Sequence, residues 1–337
     1  MKEIRDKARE LMKGFCRVCP RCDGRVCAGE VPGMGGIGTG AAFRDNLAAL
    51  DELHFNMRLI HGVTEPDTGV EILGKKLSLP LIAAPIGGVS FNMGGKISEQ
   101  DYVRAVLQGC KEAGIIGCTG DGVPEFIHKI ALEEIKAVQG KGIPFIKPWE
   151  GDELFEKIEK VQACGTDIMG MDIDAAGLVT LRKMGRPVSP KNVDELGQII
   201  KKSGMKFIIK GVMTVSDARA AVSAGADAIV VSNHGGRVLE YTPGAARVLP
   251  QIARAVGSDI CVLADGGVRT GGDVLKLLAL GADAVMIGRP FSVAALGGLK
   301  AGVKAFIETI RGELIQAMVL TGTQRADQVD ESILFKP

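Results

Sequence analysis

The chain has 337 residues, 46% of them hydrophobic, and a formal net charge of +1. That length can bury one large core, as a single elaborated barrel or as two average domains. With no sustained run of Lys or Arg, nucleic acid and anionic membrane are poor candidates for the main partner. The opening stretch, MKEIRDKARELMKGF, is charged throughout and lacks the apolar core of a signal peptide. Gly, Pro or a charge interrupts each apolar run before it reaches membrane-spanning length. A cytoplasmic location is expected.

The first distinctive feature is a run of thiols. Cys16, Cys19, Cys22 and Cys27 crowd one short segment, whereas Cys110, Cys118, Cys164 and Cys261 sit singly in apolar contexts and read as small core residues. The spacing C-x2-C-x2-C-x4-C resembles a ferredoxin run with one residue more before the last Cys. Thiolates so placed can hold Zn²⁺ or an iron–sulfur cluster; free thiols or a disulfide pair are the alternatives. Further along, Val70 to Leu79 reads as a hairpin over a barrel floor, turning at Gly74 between β-prone runs.

From Leu81 a unit repeats: a short apolar run, a Gly- or Pro-marked turn, an amphipathic stretch. The runs span residues 81–85, 114–120, 143–148, 167–174, 206–211, 228–233, 260–267 and 284–290. Short strands apolar on both faces belong to a parallel sheet covered by helices. Between them, Thr214 to Ala224 opens with a Thr-x-x-Asp cap and stops at Gly225, and Gly272 to Leu280 stops at Gly281. The last segment, Ala301 to Leu320, spaces its apolar residues by three and four. Eight such units predict an α/β fold, a (β/α)₈ TIM barrel over 43–337 with a Cys-rich cap segment over 1–42 and the hairpin below; an open sheet with extra strands is the alternative.

In a barrel the C-terminal strand ends converge on one mouth. Lys210, His234, Asp265 and Arg289 stand at or just past such ends, and Asp172 near one. The loops ADGGVRTGGD and MIGRP follow the last two runs, where this fold binds phosphate. Their glycines let backbone N–H groups approach an anion, and Arg269 and Arg289 add charge. The plainer reading is that they only turn the chain. In IVVSNHGGRVLEY, His234 can take a proton while Arg237 grips a carboxylate, the pair that oxidation of a 2-hydroxy acid requires; a structural His is the alternative.

The segments VSNHGGR, FIIKGVMT, LADGGVRTGGDVLKLLALGADAV and MIGRPF together resemble the FMN-dependent 2-hydroxy acid dehydrogenases and oxidases, such as glycolate oxidase and lactate oxidase. The similarity is dense from about Lys206 onward, looser over 43–84 and patchy between. It implies FMN as cofactor, His234 as base, Arg237 as the carboxylate's partner and Lys210 facing the flavin N1–C2=O edge. It further implies that Asp172 orients the imidazole, an N-cap role being the alternative. The implied FMN contacts are Ser232, Asp265, Gly266, Gly267, Arg269, Gly288 and Arg289, with Pro85, Ile86 and Gly87 along the ring. A small L-2-hydroxy acid substrate, a homo-oligomer and an electron acceptor, which an electron-carrier protein could supply, are implied in the same way.

Several departures bear on substrate. The family's N-terminal tyrosine has no counterpart among residues 16–40, and its Gln-x-Tyr is replaced by Lys147, Pro148 and Trp149. A second substrate arginine falls near Val179, with Arg182 and Arg186 as stand-ins, and the loop over 174–206 is short. Rival readings are another FMN barrel, such as a type 2 isopentenyl diphosphate isomerase, against which His234 and Arg237 argue, and a flavin-binding redox sensor without turnover.

Overall fold

The computed structural model describes residues 1–186 and 188–336. Helices α1 (Lys2–Leu11) and α2 (Ala41–Asp51) precede the hairpin of β1 (Val70–Ile72) and β2 (Lys75–Leu77). Its two-residue turn puts both Leu73 (φ 50°) and Gly74 (φ 77°) in the left-handed region. Lys75 pairs with Asp167 at 2.6 Å and Lys206 donates to Leu73 O at 2.8 Å. The hairpin therefore lies at the N-terminal end of the barrel, as expected.

The barrel strands are β3 (Leu81–Ala83), β4 (Ile116–Thr119), β5 (Gly142–Ile146), β6 (Ile168–Asp172), β7 (Lys206–Val212), β8 (Ala228–Val231), β9 (Cys261–Ala264) and β10 (Ala284–Ile287). They close in the order β10-β3-β4-β5-β6-β7-β8-β9, all parallel. Every strand residue is buried except Lys206, Gly211 and Cys261, the burial on both faces that a helix-covered barrel requires. Each expected apolar run coincides with one of these strands, β5 and β7 extending one residue beyond theirs.

Helices α3 (Val89–Asn92), α4 (Glu99–Glu112), α5 (Glu125–Ala137), α6 (Asp152–Gln162), α7 (Val179–Lys183), α8 (Val193–Ser203), α9 (Val215–Ser223), α10 (Ala245–Val256), α11 (Gly271–Ala279) and α12 (Arg289–Thr321) complete the outer ring. Thr214 caps α9 by accepting the Asp217 N–H at 3.0 Å, and Thr270 and Asp273 form a reciprocal capping box at α11. Each such cap contributes about 1 kcal/mol. The final helix begins earlier than its apolar spacing suggested. It starts at Arg289, breaks at Leu299 (φ 47°, ψ −141°) and resumes. By length and composition α12 could cross a membrane, which corrects the expectation that nothing approaches that length. Here it packs against α1, α4 and α11.

Candidate active site

Asp172 ends β6 and stands in register beside Lys210 of β7. Both are buried, with Lys210 Nζ 3.1 Å from Asp172 Oδ1. That contact is an ion pair between a buried ammonium and a buried carboxylate. Burial opposes charge on Lys210, yet Asp172, Asp174 and Asp265 hold it more firmly protonated than a free lysine.

The imidazole partner is not Asp172, as expected from the sequence, but Asp174, whose Oδ1 lies 2.9 Å from His234 Nδ1. Lys210 accounts for the exchange: its ammonium draws the Asp172 carboxylate to itself, and the turn after β6 brings Asp174 to the ring. Gly211 (φ 107°) makes room, since a Cβ there would sit 2.7 Å from Asp174 Cβ at the bulge in β7. Burial alone would raise the Asp174 carboxyl, but His234 and Lys210 together hold it below its ordinary value. Asp172, Asp174 and His234 offer ligand atoms within 4.8 Å of one another. With the Lys210 ammonium already in place, that group is poorly suited to a metal cation.

His234 has φ 57°, and its N–H donates to Ser232 Oγ at 3.0 Å. Asn233 fixes the loop by accepting from Asn46 Nδ2 at 2.8 Å and from Gly236 N at 3.1 Å. Across the mouth, Glu99 accepts the Gly88 and Val89 N–H groups at 2.9 and 2.7 Å and so holds the loop after β3.

Three arginines converge from other loops. Arg237 donates to Gly33 O (2.7 Å), Gly35 O (2.9 Å) and Asn92 Oδ1 (3.2 Å). Arg289 donates to Met34 O (2.8 Å), Gly35 O (3.3 Å) and Gly235 O (3.0 Å), and lies 4.0 Å from the Phe43 ring centroid. Arg269 donates to Val268 O and Cys22 O, while its buried Nε has no partner. Among the described residues these arginines meet carbonyls, an amide and a thiol, never a carboxylate. Burial pushes Arg237 down to about 10, and burial together with Arg237 depresses Arg289. An anion would relieve this uncompensated charge.

These groups enclose a cavity of about 250 Å³. Pro85, Ile86, Gly87, Asp172, Lys210, His234, Arg237, Asp265, Gly266, Gly267, Arg269, Gly288 and Arg289 all line it. Ser232 does not; it is buried beneath the His234 loop. Neither Arg182 nor Arg186 reaches the cavity, and Arg186 instead pairs with Glu153 and stacks on Trp149. Lys183 and Lys147 do reach it. Sequence reasoning missed Asp174, Asn92 and Glu99, and named Lys147 only as a departure from the family's Gln-x-Tyr. The DID repeat at Asp172 to Asp174 was the one available signal for Asp174.

The donor set fits a flavin mononucleotide. Arg269 and Arg289 lack carboxylate partners where a phosphate would sit, Asp265 has a buried unbonded oxygen for a hydroxyl donor, and Lys210 supplies the cation beside a ring edge. Burial pushes the Asp265 carboxyl above its ordinary value, a group better served by such a donor than by none.

A closed barrel with acid–base and anion-binding groups at one mouth defines an oxidoreductase of the flavin-dependent class. The chain belongs to the FMN-dependent dehydrogenase family, whose model matches residues 33–188 and 180–336. It is 32% identical over 331 residues to an L-lactate oxidase of Lacticaseibacillus rhamnosus, covering 88% of this chain and 86% of that one. It is 30% identical over 360 residues to a pre-mycofactocin synthase of Mycobacterium tuberculosis, covering 88% of each. Among solved structures, a mandelate oxidase variant with 2-hydroxy-phenylacetamide superposes at a TM-score of 0.80, with 27% identity over 99% of this chain and 97% of that one.

Proposed function

We propose that this protein oxidises a small L-2-hydroxy acid, lactate- or glycolate-like, to the 2-oxo acid, with His234 as base. The observation that carries this is the His234–Asp174 contact of 2.9 Å beside Lys210 in an arginine-lined cavity. Asp174, accepting from Nδ1–H, fixes the tautomer that leaves Nε2 free to take the substrate proton. It also stabilises the imidazolium that forms. Arg237 binds the substrate carboxylate, which supplies the counter-charge its burial withholds. Lys147 and Lys183 give the cavity further positive charge. Bound FMN supplies the two-electron acceptor. Lys210 would set its charge against the ring edge where negative charge develops, and Arg269, Arg289 and Asp265 would hold the phosphate and the sugar-alcohol chain.

The test is anaerobic mixing of the yellow protein with a panel of L-2-hydroxy acids, following flavin absorbance and 2-oxo acid. Bleaching by a small member, with one 2-oxo acid formed per flavin, is the expected result. A flavin that dithionite reduces but no hydroxy acid bleaches overturns the reading and favours a redox sensor.

A further inference from the structure

A second cavity, of about 640 Å³, lies against the first and shares Met34, Gly267, Arg269 and Arg289 with it. Cys16, Cys19, Cys22 and Cys27 all line it, whereas none of the four scattered cysteines does. The segment that carries them is held by α1: Arg5 donates to Cys19 O, and Arg9 donates to Arg17 O at 3.3 Å and Val18 O at 3.1 Å. Two of the sulfurs receive N–H donors, Cys16 Sγ from Val18 N and Cys22 Sγ from Arg269 Nη2, each at 3.4 Å. Donors aimed at sulfur favour thiolate and are a recurrent means of tuning sulfur-ligated metal centres.

The spacing of the sulfurs does not match a preformed zinc site. Four thiolates around one zinc ion at about 2.3 Å lie about 3.8 Å from one another. Among the described residues the one group of three or more ligating atoms within 4.8 Å is Asp172, Asp174 and His234, so no three of these thiols meet even that looser limit. The sulfurs of an iron–sulfur cubane stand farther apart, because the cluster itself lies between them. The charge agrees. Arg5, Arg17, Arg21, Arg269 and Arg289 outnumber Asp23, Asp51 and Asp273 along the cavity, so the wall is net positive and suits a centre made anionic by four thiolates.

We propose that Cys16, Cys19, Cys22 and Cys27 ligate a cubane iron–sulfur cluster in this cavity, next to the flavin site and separated from it by Arg269 and Arg289. Such a centre adds one-electron capacity beside a two-electron cofactor. The proposal stands independently of the hydroxy acid reading, because cluster and flavin are assayed separately.

The experiment is elemental analysis of the full-length protein purified without oxygen, alongside flavin content. The expected result is about four iron and four acid-labile sulfide per chain, with a low-temperature EPR signal after dithionite reduction. Cys19→Ser and Cys22→Ser should lose iron and sulfide while retaining flavin, and Cys261→Ser, outside the cavity, should keep all three. Stoichiometric zinc without sulfide, or metal-free native protein in which these four thiols titrate freely, overturns the proposal. Should the Ser variants fail to fold, the wild-type iron and sulfide content alone decides.

Discussion

The loop after β4 and the segments that end β6 and follow β6 and β9 all bury carboxylates at the barrel mouth, but they complete them differently. Asp121 follows β4 and is saturated from within. Its Oδ1 accepts from Gly122 N (2.8 Å) and Lys157 Nζ (2.7 Å), and its Oδ2 from Lys147 N (3.2 Å) and Trp149 Nε1 (2.6 Å). Lys157 also stands 4.9 Å from the Trp149 ring centroid, and His128 approaches Asp121 at 3.9 Å. On the other side, Asp174 Oδ2 and Asp265 Oδ1 are buried with no hydrogen-bond donor, and Asp172 Oδ1 meets only the Lys210 ammonium at 3.1 Å. Buried acceptors without partners are costly, about 1–3 kcal/mol each. A fold that keeps two of them beside arginines without carboxylate partners is arranged for a ligand. The first network builds the wall, and the second group meets what enters.

The largest effect that could break this contrast comes from Asp121→Ala. Removing the carboxylate leaves the buried Lys157 ammonium unpaired, so chemical denaturation should show a loss of about 3–5 kcal/mol. A loss within about 0.5 kcal/mol, ordinary for a surface substitution, would mean that the network is not structural.

A smaller effect sharpens the same side. Burial pushes His128 down to about 4, and its Nε2 is buried without a partner, so the folded chain holds this ring neutral. Unfolded, a histidine protonates near pH 6.5. The unfolded state therefore binds the extra proton first, and stability present above pH 6.5 is lost as pH falls toward 4. Between pH 7 and pH 5 the loss should be about 2 kcal/mol from this group. His128→Gln should flatten the stability profile over that window; an unchanged slope would assign it to other groups.

The two regions also differ in how far the sequence reveals them. All eight strands were legible because burial on both faces leaves uninterrupted apolar runs, and the C-terminal loops because glycines and arginines recur after consecutive strands. The Asp172 and Asp174 assignment was not. Asp172 ends β6 and Asp174 lies in the helical turn that follows, so strand alternation does not say which carboxylate faces His234. Which one reaches His234 depends on Lys210 standing beside Asp172 and on the bulge at Gly211, both of them facts of strand register. The Asp121 network was silent in sequence, since Asp121, His128, Lys147, Trp149 and Lys157 come from separate loops and helices with no shared motif. Ser232 followed the motif but turned inward to hold the His234 loop.

The central claim is that the unsatisfied side of the mouth performs the chemistry through His234. The most direct measurement is the anaerobic rate of flavin reduction by the best hydroxy acid of the panel in His234→Ala beside the wild type, at matched flavin content. Loss of acid–base assistance should slow reduction by about 10²–10⁴-fold while FMN stays bound, because Lys210, Arg269 and Arg289, the residues proposed to hold it, lie on other elements. An unchanged rate in a fully flavinated variant would contradict the account.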